Sequence, residues 1–260
     1  MENYRYLEIE RDAAVLRIWL ARPEVRNAFN HELIAELTQV FSDVPASARV
    51  AMLGGRGEVF CAGADLDYMK QLGQMSHEEN VRDALALADM LAAVNACPIP
   101  LVGRMQKAAF GGAIGLLACC DSVVCTEDAV FAFSEVRLGI TPATISPYVI
   151  AKVGESAARD LFLSGERWDA ERALAIGLVH RVVPPDKLDT AVQEKVKELL
   201  CAGPEAARAT KRLIREVAGS VAAEQREATA RLIADLRGSD EGRQGLSAFL
   251  EKRKPSWMDN

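Results

Sequence analysis

The 260-residue chain contains no run of 18 apolar residues, and its first twelve residues, MENYRYLEIERD, carry charges throughout without an apolar segment. A spanning helix needs about 20 mostly apolar residues and a secretory signal needs an apolar core. Neither is expected, so the sequence reads as soluble and cytoplasmic, with no membrane partner. The six cysteines (Cys61, Cys97, Cys119, Cys120, Cys125, Cys201) form no Cys-x-x-Cys pair and no zinc-ligand spacing. Most sit in apolar segments, as reduced core thiols do, which predicts no disulfide and no metal. Positive charge is not in excess either: 31 Lys and Arg against 37 Asp and Glu leave a net −6. A dedicated nucleic-acid binder shows a basic patch or stripe, so no nucleic-acid partner is expected. A local basic pocket for a phosphorylated ligand remains compatible with this balance.

With 50% hydrophobic and 26% charged residues, the chain suits one large domain or a domain with a terminal appendage. Residues 6–10 and 14–20 read as a hairpin, with alternation in VLRIWL. ARPEVRNAFN is a Pro-punctuated loop leading into a helix over 31–43, whose apolar residues Leu33, Ile34, Leu37, Val40 and Phe41 repeat at helical spacing. Residues 50–53 form a short buried strand broken by glycines at 54, 55 and 57, and 59–66, VFCAGADL, is a second apolar run ending in a tight turn at Gly63. Residues 67–80 are polar and without period, which predicts a mobile segment, and 81–96 is an amphipathic helix stopped by prolines at 98 and 100. Strands are expected at 99–104, 122–126 and 130–133, and a helix over 142–153 leading into Gly154. Further helices follow at 156–163, 169–176, 188–202, 204–218 and 222–237. The alternation indicates α/β architecture with a helical C-terminal third. Its apolar faces exceed what one thin sheet could cover, which points to self-association.

The rest of the chain is organised around AAFGGAIGLLACCDSVVCTEDAVFAFSEVRLG. Gly111, Gly112 and Gly115 remove side chains where the backbone turns or is approached closely, and 113–120 reads as a helix too apolar to face water. A helix beginning at these glycines aims unpaired N–H groups at a ligand and can stabilise a phosphate or an oxyanion. Both glycine turns follow a buried strand, so the N–H groups of Ala64 and Gly112 could converge on one oxygen. Glu135 lies in the apolar frame FAFSEVRLG, where burial raises a carboxyl pKa toward neutrality. Ser134 reads equally as a strand hydroxyl or a ligand, and Asp121 as a cap or anchor of buried backbone.

The succession ARPEVRNAF, FCAGADL, AAFGGAIGLLACCD, FSEVRLGITP, LSGERWDAERALAIGLVHRVV and FLEKRKPSW resembles the enoyl-CoA hydratase/isomerase superfamily, the crotonases, from about residue 5 to 258. The resemblance implies a crotonase-like spiral of ββα units over residues 1–200, a C-terminal helical trimerisation region over 201–260, and a homotrimer or homohexamer. It implies a coenzyme A thioester as substrate and no separate cofactor. It makes Ala64 and Gly112 the oxyanion donors, with Gly63 and Gly111 in their turns, and Glu135 the catalytic glutamate. Ala62 and Leu66 match positions whose backbone receives the adenine, Asp65 the residue that fixes the turn, and Phe249 and Lys252 the tail positions that meet the nucleotide.

Familiar hydratases carry a second glutamate where this chain has Gly115, so the pair of carboxylates that holds the attacking water is absent. Gln106-Lys107 replaces an Asn-Gly, and Ala113 a third glycine. Some relatives combine that glycine with LGxxPAxxSPYV, which LGITPATISPYV fits, and resemble hydratases of branched glutaconyl-CoA esters in leucine or acyclic terpene breakdown. Their second carboxylate needs a cation or N–H donors, for which Arg137 and Lys70 are candidates. Three functions are therefore carried forward: a hydratase, an enoyl-CoA delta-isomerase using the same single Glu135, and a non-catalytic member that binds acyl-CoA or RNA. Gly115 is expected to make room for a larger acyl chain.

Overall fold

The computed structural model describes residues 4–12, 14–217 and 223–255. Two strands, β1 (Leu7–Asp12) and β2 (Val15–Leu20), pair antiparallel from Leu7↔Leu20 to Asp12↔Val15. On β2 a parallel succession is built from β3 (Val50–Gly55), β4 (Leu101–Met105), β6 (Ser122–Thr126) and β9 (Arg181–Val183). Every residue of β3 is buried, as expected for a strand covered on both faces. Gly54 is required there: a Cβ would lie 2.7 Å from the Trp19 ring. A smaller sheet of β5 (Ala108–Phe110), β7 (Val130–Ala132) and β8 (Arg167–Asp169) stands beside it in the order β5-β7-β8.

The crossovers between these strands are helical. Helix α1 (His31–Ser42) starts at Asn30, whose side chain accepts the Leu33 N–H, and its five apolar residues face the core as their spacing predicts. One expectation fails between β3 and β4, that of a mobile polar segment. The apolar run at 59–66 makes no ladder, only single bridges Phe29↔Ala64 and Cys61↔Ala109. The polar segment at 67–80 is ordered as α2 (Leu66–Leu72) and the first turn of α3 (His77–Ala96). Asp65 caps α2, and a Ser76–Glu79 capping box opens α3; caps rather than apolar period start both helices.

Helix α4 (Gly112–Cys119) runs through the core, and α5 (Ser146–Ser164) is kinked at Gly154, whose φ is +79°. It begins four residues later than expected, after a turn through residues 142–145. Then come α6 (Ala170–Ala175), α7 (Leu188–Leu200), α8 (Pro204–Val217), α9 (Ala223–Gly238) and α10 (Asp240–Leu250). The expected helix ends at Ala218 and Ala222 lie outside the described residues, and α10, capped by Ser239, was not separately expected. Helix α9 packs along α3, and α10 packs against α2 and the turn at Ser134–Leu138. These two helices therefore cover their own chain, with Leu232 and Phe249 left exposed, and α8 leaves Leu213 and Ile214 exposed. Among the described residues no helix is long and apolar enough to cross a membrane.

Candidate active site

The site is assembled by the segment before α1. Asn27, fully buried, accepts the Arg22 N–H at 2.9 Å through Oδ1 and donates through Nδ2 to the carbonyls of Arg56, Val59 and Phe60. Arg22 donates to the Ala28 carbonyl and pairs with Asp65 at 3.0 Å, both side chains being nearly buried. Asp65 in turn accepts the N–H groups of Asp67 and Tyr68. ARPEVRNAF thus works as a clamp on FCAGADL. We expect Asn27→Ala to leave three carbonyls short of a donor and cost about 2–4 kcal/mol in chemical denaturation, and a loss under about 1 kcal/mol would contradict the clamp.

Phe29 joins the two glycine turns. Its N–H donates to Gly63 at 2.7 Å and its carbonyl accepts from Asp65 at 2.9 Å, which turns the intervening Ala64 N–H to the opposite side. Gly63 has φ +90°, and a Cβ there would meet the Phe110 carbonyl oxygen at 2.9 Å. The Phe29 ring lies on Gly112, where a Cβ would sit 2.9 Å from it. Gly112 is the first residue of α4, so its N–H has no intrahelical acceptor. Among the described residues neither Ala64 N–H nor Gly112 N–H has a backbone acceptor.

Glu135 follows β7 on the turn Ser134–Leu138, closed by the Ile140 N–H donating to the Glu135 carbonyl at 3.1 Å. Its carboxyl lies against Gly111: a Cβ on that glycine, whose φ is +53°, would meet Oε1 at 3.0 Å. Oε2 is buried without a protein partner. Burial pushes this carboxyl up from 4.5 to about 7, opposed in part by its own backbone N–H and by Arg237. A cavity of about 150 Å³ is bordered by Ala62, Gly63, Ala64, Gly111, Gly112, Ser134, Glu135 and Phe249. Two outward N–H groups and one poised carboxyl can thus hold a carbonyl oxygen and move a proton beside it.

Other expected residues lie elsewhere. Leu66 is exposed and borders an outer groove with Lys70 and Leu250, while Lys252 forms the left-handed turn after α10, outside the cavity wall. Arg137 donates to the Ser164 carbonyl and, like Lys70, does not line the cavity. Gly115 is the main correction. It opens no room: a Cβ there would lie 2.6 Å from Ile145 Cγ2 and 3.3 Å from Leu91, so Ile145 already fills that space. Ile145 itself lines the cavity. Asp121 anchors backbone, accepting the Leu101 N–H and pairing with Lys211 at 2.6 Å. Lys107 takes φ +62° where the usual glycine would, so the replaced Asn-Gly keeps a left-handed turn.

The sequence reading missed Tyr68, Asp83 and Arg237, which also line the cavity. Arg237 pairs with Asp83 at 3.0 Å, and the Tyr68 hydroxyl donates to Asp83. Nothing local announces a partnership between α3 and α9 residues so far apart in the chain. A charged residue on an otherwise apolar helix face was the available signal.

The family model for enoyl-CoA hydratase/isomerase matches residues 10–260. The chain belongs to this family. Within the enoyl-CoA hydratase/isomerase family, a Mycobacterium avium enoyl-CoA hydratase structure superposes with TM-score 0.87 at 31% identity, covering 97% of this chain and 99% of that one. A Shewanella pealeana enoyl-CoA hydratase structure is 37% identical with TM-score 0.80, covering 98% and 96%. Enoyl-CoA hydratase AKT6-1 of Alternaria alternata is 34% identical over 80% of this chain and 69% of its own. The fold is accordingly crotonase-like, with a C-terminal helical region.

In this crotonase fold the raised Glu135 pKa has a stability consequence. Between pH 4.5 and about 7 the native state keeps a proton that the unfolded chain has released. Stability is therefore expected to fall as pH rises through that window, by on the order of 3 kcal/mol from this group. Glu135→Gln should lack this contribution, and parallel urea-denaturation profiles of the two proteins across pH 4.5–7 would contradict it.

Proposed function

We propose that this chain is an acyl-CoA hydratase adding water across the C2=C3 bond of an enoyl-CoA thioester, with branched glutaconyl-CoA-type esters as its substrates. The carrying observation is the buried, unpartnered Glu135 Oε2 on the same cavity as the Ala64 and Gly112 N–H groups, which have no backbone acceptor among the described residues. Ala64 and Gly112 donate to the thioester oxygen, and Glu135 removes a proton from water as the water oxygen bonds to C3. The π electrons pass to the thioester oxygen as an enolate, and Glu135 returns the proton to C2. One carboxyl begins and ends ionised, so a second is not consumed. An oxyanion donor of this kind is typically worth about 3–4 kcal/mol of barrier. Activity should rise with pH through about 7 as Glu135 ionises.

The Gly115–Ile145 contact favours a second reading, delta-isomerisation, because shuttling one proton between C2 and C4 needs only one base. Incubation with 3-methylglutaconyl-CoA, crotonyl-CoA and a 3-enoyl-CoA separates the readings. Gain of one water supports hydration; a shifted double bond at unchanged mass supports isomerisation. Acyl-CoA binding with no product from any of them would make this a non-catalytic member and overturn both.

We also propose that residues 1–200 are the spiral core, with 201–260 the helical region, and that the chain works as a homotrimer or homohexamer. Support comes from α8, which exposes Leu213 and Ile214, and whose Ile214 lines a groove of about 610 Å³ shared with α4 and α5. Light scattering should give three or six times 28.2 kDa, and a monomer at micromolar concentration would contradict it.

A further inference from the structure

The wall of the Glu135 cavity facing α3 and α9 is lined by apolar side chains, among them Leu72, Leu87, Leu138, Ile140 and Ile233. Into it projects one guanidinium. Arg237 and Asp83 are 11% and 12% exposed, and Nη1 lies 3.0 Å from Oδ2. Asp83 Oδ1 accepts the Tyr68 hydroxyl, so both oxygens of this carboxylate are engaged. A guanidinium carries five N–H donors. Among the described residues Asp83 is the only acceptor Arg237 meets, which leaves its other N–H donors free for a ligand in the cavity. An aliphatic acyl end that displaced water from these charged donors would leave them without acceptors, which is costly.

The attachment of α9 to α3 does not require this arrangement. Arg226–Asp89 and His77–Asp235 already bridge the two helices at more exposed positions, and Ala230 and Ile233 supply a buried apolar seam. The Tyr68–Asp83 pair instead fixes the guanidinium's orientation, as a planar donor needs for two-point recognition.

We propose that Arg237, oriented by Asp83 and Tyr68, binds the far end of the acyl chain, and that the acyl groups taken carry a carboxylate there. The assignment rests on the acyl-CoA reading above and names the residue that selects within that class. Because Arg237 and Asp83 together carry no net charge, selection comes from directed hydrogen bonds. It discriminates a terminal carboxylate from a branched hydrocarbon end of the same shape.

Two saturated thioesters isolate the effect from turnover: glutaryl-CoA, and 5-methylhexanoyl-CoA, in which two methyl groups stand where the carboxylate oxygens would be. Calorimetric titration of the wild type should show glutaryl-CoA bound at least about tenfold more tightly. Arg237→Met should abolish that preference while 5-methylhexanoyl-CoA binding stays within about threefold. Arg237→Lys, which keeps the charge but not the fork, should lose about half of the preference on a logarithmic scale. It decides the matter if the methionine variant does not fold. Equal binding of the two thioesters to the wild type, or a preference that survives in either variant unchanged, would overturn the proposal alone. Failure of both to bind the wild type would overturn it together with the acyl-CoA reading.

Discussion

Glu135→Gln should fold, bind acyl-CoA and lose turnover by about 10²–10³-fold, because the amide keeps the shape of the carboxyl and removes the base. The structure strengthens this expectation in two ways. The carboxyl rests on Gly111, so a side chain of equal size keeps its place, and burial has already brought its pKa to about 7, where base and acid forms are both accessible. The other carboxylate on the cavity, Asp83, is committed to Arg237 and Tyr68 and is a poor substitute. Steady-state kinetics with an acyl-CoA affinity measured in parallel gives the test. Turnover within a few-fold of wild type would show that Glu135 does not carry the proton.

Gly115→Glu should be the second severe variant, through packing rather than chemistry. A Cβ alone would lie 2.6 Å from Ile145 Cγ2 and 3.0 Å from its Cβ, and the rest of a glutamate would have to enter a filled core. Overpacking of this kind together with an unpartnered buried carboxyl costs about 3 kcal/mol or more. Displacing Ile145 also deforms the cavity that it lines. Activity should drop by at least about 30-fold on branched and straight-chain substrates alike, from about 2 kcal/mol of lost transition-state stabilisation. Adding Ile145→Ala opens the space and should recover most of the stability. A single Gly115→Glu variant with wild-type melting and faster crotonyl-CoA hydration would contradict this packing.

These two sites show what could be read from sequence and what could not. The burial of Glu135 was legible from the apolar frame FAFSEVRLG, while its candidacy as a base came from the family resemblance; the two glycine turns were legible because φ values of +90° at Gly63 and +53° at Gly111 suit residues without a Cβ. Helices α1 and α3 were legible from apolar period, whereas α2 depended on the Asp65 cap and looked like mobile chain. The role of Gly115 was misread, since a missing side chain does not say whether its space is open or taken by a neighbour 30 positions on. The Tyr68–Asp83–Arg237 group was invisible for the same reason: its members meet only when α9 folds back along α3. That return also buries part of the apolar surface credited to self-association, although Leu232 of α9 and Phe249 of α10 stay exposed, as do Leu213 and Ile214 of α8.

The central claim is that Glu135 takes a proton from solvent water and delivers it to C2. The most direct measurement is to run the reaction in D2O with 3-methylglutaconyl-CoA or crotonyl-CoA and locate the label in the hydrated product by NMR. The account predicts one carbon-bound deuterium, at C2, formed by the wild type and at least about 10²-fold more slowly by Glu135→Gln. Hydrated product without deuterium at C2, or labelling by Glu135→Gln at the wild-type rate, would contradict it.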